Sequence, residues 1–152
     1  MEMKRIFILI MSCLPVLSCM SSGSAEKLDR WSLSDGSVVR GNELKVCGTD
    51  TLYAADDHVN FVLRGQACTE KGSEASILFH SDGKSGYEVL FRNGGIDGTR
   101  KSGSLTAVRN LYRSLAEDGT WFDFEIAVRG RNITVGINGT EVVCYTEPDR
   151  PY

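Results

Sequence analysis

A chain of 152 residues, 41% hydrophobic and 24% charged, is long enough for one domain with a sizeable core, and its apolar content excludes a disordered polymer. Its formal net charge of −3, with no basic run, excludes the electrostatic footprint of a nucleic-acid binder.

The chain opens with MEMKRIFILIMSCLPVLSC: a basic start at Lys4 and Arg5, an apolar run from Ile6 to Leu17, then Ser18 and Cys19. That order is the layout of a secretory signal peptide, and the run is too short, and broken by Pro15, for a membrane-spanning helix. Val16 to Cys19, VLSC, is similar to a bacterial lipobox, which makes residues 1–18 a lipoprotein signal peptide and Cys19 a lipidated anchor. An ordinary leader cut nearby, with an incidental cysteine, is the plainer alternative. Residues 19–27 then form a flexible tether and residues 28–152 the domain. Processing removes Glu2, Lys4 and Arg5 and takes the net charge from −3 to −4. The expected location is the cell envelope, on the membrane through the lipid.

Beyond the tether the chain is a series of short runs with period-2 alternation, separated by Gly, Asp and Asn, and no amphipathic helix of useful length occurs. The pattern predicts strands over Trp31–Leu33, Ser37–Val39, Glu43–Val46, Val59–Cys68, Ala75–His80, Tyr87–Arg92, Phe122–Arg129, Asn132–Ile137 and Glu141–Tyr145. Asn138-Gly139 between alternating runs is a strong hairpin signal. Phe122, Phe124, Ile126 and Val128 alternate with Asp123, Glu125, Ala127 and Arg129, which gives a buried and a wet face. Many short antiparallel strands at this spacing indicate an all-β sandwich or jelly roll. The long connection 93–119 interrupts them. It has room for a short strand near Ser104–Val108 and a helical turn near Leu111–Leu115, and its Arg, Lys, Ser and Gly content suits a loop folded over a polar ligand.

Of five cysteines, Cys13 leaves with the leader and Cys19 is lipidated. Cys47, Cys68 and Cys144 remain, an odd set that excludes a complete disulfide framework. Each lies in an apolar run, so they read as buried thiols or as one pair and a spare.

Three constellations carry chemistry. On neighbouring strands, Ser76, Leu78 and His80 face Glu88, Leu90 and Arg92, which brings an imidazole and a carboxylate within reach of one another as a base–acid pair or as ligands of a divalent metal ion. A cross-strand ion ladder is the alternative. In the second, Trp121, Asp123 and Glu125 offer an aromatic ring for a sugar face beside two carboxylates, or else a Trp packed at the rim. The third comprises loop charges: Asp82, Asp97, Arg100, Lys101 and Arg109. No GxSxG, HExxH, P-loop or dinucleotide-binding glycine motif is present.

The segments WSLSDGSVV (31–39), ASILFHSDGKSGYEVLFRNGG (75–95), KSGSL (101–105) and GTWFDFEIAVRGRNITVGINGTEVVCYTEPDRP (119–151), in order and spacing, resemble the 3-keto-disaccharide hydrolase domain family. The resemblance implies a concanavalin A-like jelly roll with a carbohydrate site on its concave sheet. It also implies cleavage of glycosides oxidised at C3, by removal of the acidified C2 proton, elimination and addition of water, with a divalent cation polarising the ketone. Paired glycosidase carboxylates are not needed for this chemistry. Glu88 matches the family's Tyr-Glu position. His80 stands where many members carry Arg, and Arg150 matches the Asp-Arg-Pro motif.

Glu88 and His80 are thus the candidates for catalysis and metal binding, and Arg92, Trp121, Asp123 and Arg109 for substrate binding. Glu88, His80 and Asp123 all remain open as the general base. Members usually continue past Asp-Arg-Pro into further strands, so the resemblance also implies a domain incomplete at its C-terminus. A non-catalytic carbohydrate-binding lipoprotein of the same fold is the alternative function.

Overall fold

The computed structural model describes residues 5–11, 15–18, 38–40, 43–45, 50–53, 58–81, 85–95 and 100–149, the stretches before residue 58 as backbone alone. The architecture is an all-β antiparallel sandwich, with no helix among the described residues.

Chain order gives β1 (Arg5–Met11), β2 (Pro15–Ser18), β3 (Val38–Arg40), β4 (Glu43–Lys45), β5 (Asp50–Tyr53), β6 (Phe61–Thr69), β7 (Glu74–Ser81), β8 (Tyr87–Phe91), β9 (Phe122–Arg129), β10 (Asn132–Ile137) and β11 (Thr140–Thr146). A smaller sheet has the order β5-β1-β7-β8, and a larger one the order β11-β10-β9-β6-β2-β4-β3. The strands expected from alternation form with ends moved by two residues at most. Trp31–Leu33 lies outside the described residues, and β5 was not anticipated. β1 and β2 come from the stretch read above as a leader, so their pairing belongs to the full 152-residue chain.

Period-2 patterning builds the core. Tyr87, Val89 and Phe91 of β8 and Phe122, Phe124 and Ile126 of β9 turn inward into one apolar cluster, where the Phe91 and Phe124 rings meet at 5.0 Å between centroids. Phe79, Ile77, Leu105, Ile133 and Ile137 are among its other fully buried members. The β10–β11 turn has Asn138 at φ 49° and Gly139 at φ 74°, the left-handed pair that a tight hairpin requires.

The long connection is more ordered than its composition suggests. Leu105 bridges Val89, and Leu90 N donates to Ser104 O at 2.9 Å while Thr106 N donates to Glu88 O at 2.8 Å. Residues 102–106 therefore extend the small sheet beyond β8, two residues earlier than expected. No helical turn forms at 111–115, where the Leu111 amide is taken by Ser104 Oγ and the Ala116 amide by Ser114 Oγ.

Candidate active site

On the small sheet, register places Leu78 and Ser76 of β7 opposite Glu88 and Leu90 of β8. The segment 102–106 adds Thr106 and Ser104 to the same two rows. These side chains alternate with the residues of the central core and lie on the other face of the sheet, where Ser76, Leu90 and Ser104 are buried and Leu78, Glu88 and Thr106 half-buried. Glu88 is half-buried between Leu78 and Thr106, and the buried Thr106 hydroxyl has no hydrogen-bond partner among the described residues. One row further, Arg92 lies beside Glu74, with Nη1 at 3.4 Å from its carboxylate. Arg109 is exposed at the rim, where its amide donates to Leu105 O at 2.7 Å and its carbonyl accepts from Leu105 N at 3.1 Å.

His80 leaves this face. Simple alternation would align it with Leu78, but β7 carries one extra residue against β1 between Leu78 and Ser81, and His80 adopts φ 48°. A bulge of this kind turns the side chain. Its ring is buried beside Phe79, 5.9 Å between centroids. Nδ1 lies 2.9 Å from Glu147 Oε1 and Nε2 lies 2.8 Å from Val59 O. A carbonyl only accepts, so Nε2 donates to Val59, and both ring nitrogens are committed to tying β7 to the chain segments around it. The expected pairing of His80 with Glu88 therefore does not form. The two do not fit a shared cation site, and among the described residues no group of three His, Cys, Asp or Glu can hold a metal ion.

The described parts of the connection, 93–95 and 100–118, are held to their own protein by side-chain and backbone bonds. Lys101 is buried, and its ammonium donates to the carbonyls of Asn93, Gly94 and Gly95 at 3.1, 3.2 and 3.3 Å. Asn93 Oδ1 accepts from Ser102 and Ser114 hydroxyls, while its Nδ2 donates to Thr69 Oγ1, which in turn donates to Asp118. These bonds hold both ends of the loop and so set the position of Thr106 next to Glu88. Of the other loop charges, Arg100 is exposed, and Asp82, Asp97 and Arg150 lie outside the described residues.

Trp121 and Asp123 belong to a different surface. They alternate with Phe122 and Phe124, whose rings pack against Phe91 of β8, so they leave the sandwich on the side opposite Glu88. There the outer face of the large sheet carries a cavity of about 430 Å³ lined by Arg64, Gln66, Asp123, Glu125, Thr134, Gly136 and Glu141 among others. Arg64 Nε donates to Glu125 at 2.5 Å and Gln66 to Asp123 at 2.8 Å. A single concave face holding Glu88, His80 and Asp123 together is thereby ruled out. Alternation along β6 already separates Arg64 and Gln66 from its buried residues, a signal that the sequence reading left unused, whereas Thr106 becomes visible only once its segment pairs with β8.

Cys68 is half-buried and Cys144 exposed, both as free thiols, so the buried reading fails for Cys144 because it lies on the wet side of the edge strand β11. Cys19 and Cys47 lie outside the described residues.

A family model described as the 3-keto-alpha-glucoside-1,2-lyase-like domain matches residues 21–152. No curated protein and no solved structure matches the chain.

Proposed function

The chain belongs to the 3-keto-alpha-glucoside-1,2-lyase-like domain family, and on that premise we propose that it cleaves 3-keto glycosides at the small-sheet face, with Glu88 as the base. The observation that carries this reading is half-buried Glu88 on the strand position next to Thr106, whose buried hydroxyl has no partner among the described residues.

A ketone at C3 acidifies the C2 proton. Glu88 takes that proton, and the electrons of the C2–H bond pass into an enolate whose oxygen accepts a hydrogen bond from Thr106. Collapse of the enolate forms the C1–C2 double bond and breaks the bond from C1 to the glycosidic oxygen, and the protonated Glu88 returns its proton to that departing oxygen. That elimination is the chemistry in the family's description. Water then adds hydroxide to C1 and a proton to C2, so the net change is hydrolysis. Arg109, at the rim, contacts the leaving sugar.

The same proposal has the protein in the cell envelope, held on the membrane by a diacylated Cys19. The order of basic, apolar and VLSC segments supports this.

The test is release of glucose from 3-keto-trehalose by wild-type, Glu88→Gln and Thr106→Val proteins, each with EDTA and with added Mn²⁺ or Ca²⁺. Glu88→Gln is expected to lose about 10²–10⁴-fold in kcat and Thr106→Val about 10²-fold, with melting temperatures kept. An unchanged rate in Glu88→Gln overturns the assignment of the base. No turnover by folded wild-type protein on 3-keto substrates leaves the carbohydrate-binding reading in its place.

A further inference from the structure

We infer that the outer face of the large sheet is a second ligand site, centred on Gly136, for a neutral, hydroxyl-rich glycan chain. It is separate from the Glu88 face and stands whether or not that face is catalytic.

Gly136 is the first observation. It sits inside β10, where glycine weakens a strand and commonly marks a bulge or the close approach of another group. Gly103 shows what an internal requirement looks like: φ is +90°, and an added Cβ would come within 2.8 Å of Val142. Gly136 has no positive φ, and an added Cβ would meet only Thr140 O at 3.6 Å and Glu125 Cβ at 3.8 Å. The bulge between β10 and β11 falls on the other strand, at Val142. Neither backbone conformation nor packing therefore calls for glycine. What its missing side chain leaves is a bare stretch of backbone between Glu125 on one side and Glu141 on the other.

The walls are the second observation. Glu125 with Arg64, and Asp123 with Gln66, form two donor–acceptor pairs side by side, and Thr134 adds a hydroxyl. Sugar hydroxyls both donate and accept, so vicinal hydroxyls match such pairs. The cavity of about 430 Å³ is in the range of small-ligand sites. Three carboxylates against one lining guanidinium disfavour uronate or sulfated chains. Trp121, 42% exposed, stands immediately before β9, two residues ahead of Asp123, and offers a ring to the next sugar unit.

Calorimetry with maltoheptaose, cellohexaose, laminarihexaose, xylohexaose and, as the anionic control, hexagalacturonate tests the site. At least one neutral oligosaccharide is expected to bind and the uronate not to. Gly136→Val, with a β-favouring side chain projecting into the cavity, is expected to weaken binding at least tenfold at an unchanged or raised melting temperature. Trp121→Ala, at an exposed position, weakens it several-fold. Glu88→Ala keeps the glycan affinity while losing turnover, which separates a failure here from a failure of the proposed catalysis. Absence of binding to all four neutral chains, preference for the uronate, wild-type affinity in Gly136→Val, or loss of affinity in Glu88→Ala would each overturn the proposal.

Discussion

Cys68 and Cys144 both face outward on the large sheet, yet their surroundings differ. Burial, reinforced by the neighbouring charges of Glu70 and Asp118, pushes the Cys68 thiol above its ordinary value, whereas Cys144 lies exposed on an edge strand. Only the thiolate reacts with alkylating agents. A raised value means less thiolate at neutral pH, so Cys144 is expected to take up iodoacetamide first. Cys68 should follow slowly and gain rate as the pH rises past its ordinary value. Peptide mass mapping of a time course at two pH values measures this. The order of reaction was not legible in the sequence, where both cysteines sit in similar apolar runs. His80 shows the same limit, because one inserted residue and a left-handed backbone move it from the face with Glu88 into a buried bond with Glu147.

At the scale of elements, β8 and the segment 102–106 form one unit. The pairing of Val89 with Leu105 brings Thr106 beside Glu88, and the buried Lys101 secures the segment through three main-chain carbonyls. No carboxylate is among those partners, so the ammonium acts as an internal cross-link of the backbone. Replacing it leaves the buried Asn93 carbonyl and the part-buried Gly94 carbonyl without this donor. Lys101→Met is expected to cost about 1–3 kcal/mol in urea unfolding and to lower turnover on 3-keto-trehalose through the displaced Thr106. Equal stability of the two proteins would remove Lys101 from this role. A polar, glycine-containing connection reads as an open loop in the sequence because its partners lie on distant strands. Thr69, for example, is 24 residues from Asn93.

At the scale of the whole molecule, the sandwich presents two outward faces: the Glu88 face on the small sheet and the Gly136 cavity on the large one. A glycan chain held on one face and a bond cleaved at the other would keep the protein near its substrate without competition between the two sites. Anchoring belongs to this scale too. Cys19→Ser is expected to move the protein from the membrane fraction to the soluble fraction and to abolish labelling by a lipid precursor. Retention on the membrane without label would overturn lipidation at Cys19.

By itself the sequence determined most of the inward-facing residues, because a strand's side chains alternate with a period of two and an apolar face must be buried; His80 and Ala127, both placed outward by alternation, are buried. That was enough for the strands from Phe61 to Thr146, the Asn138-Gly139 hairpin, the all-β sandwich and, through the motifs around Tyr87-Glu88 and the closing hairpin, the family. Only the tertiary structure decided which outward residues share a surface. Alternation separates inside from outside, but a two-layer sandwich has two outsides, and Glu88 and Asp123 look alike until the packing of Phe91 against Phe124 sets their strands on opposite layers.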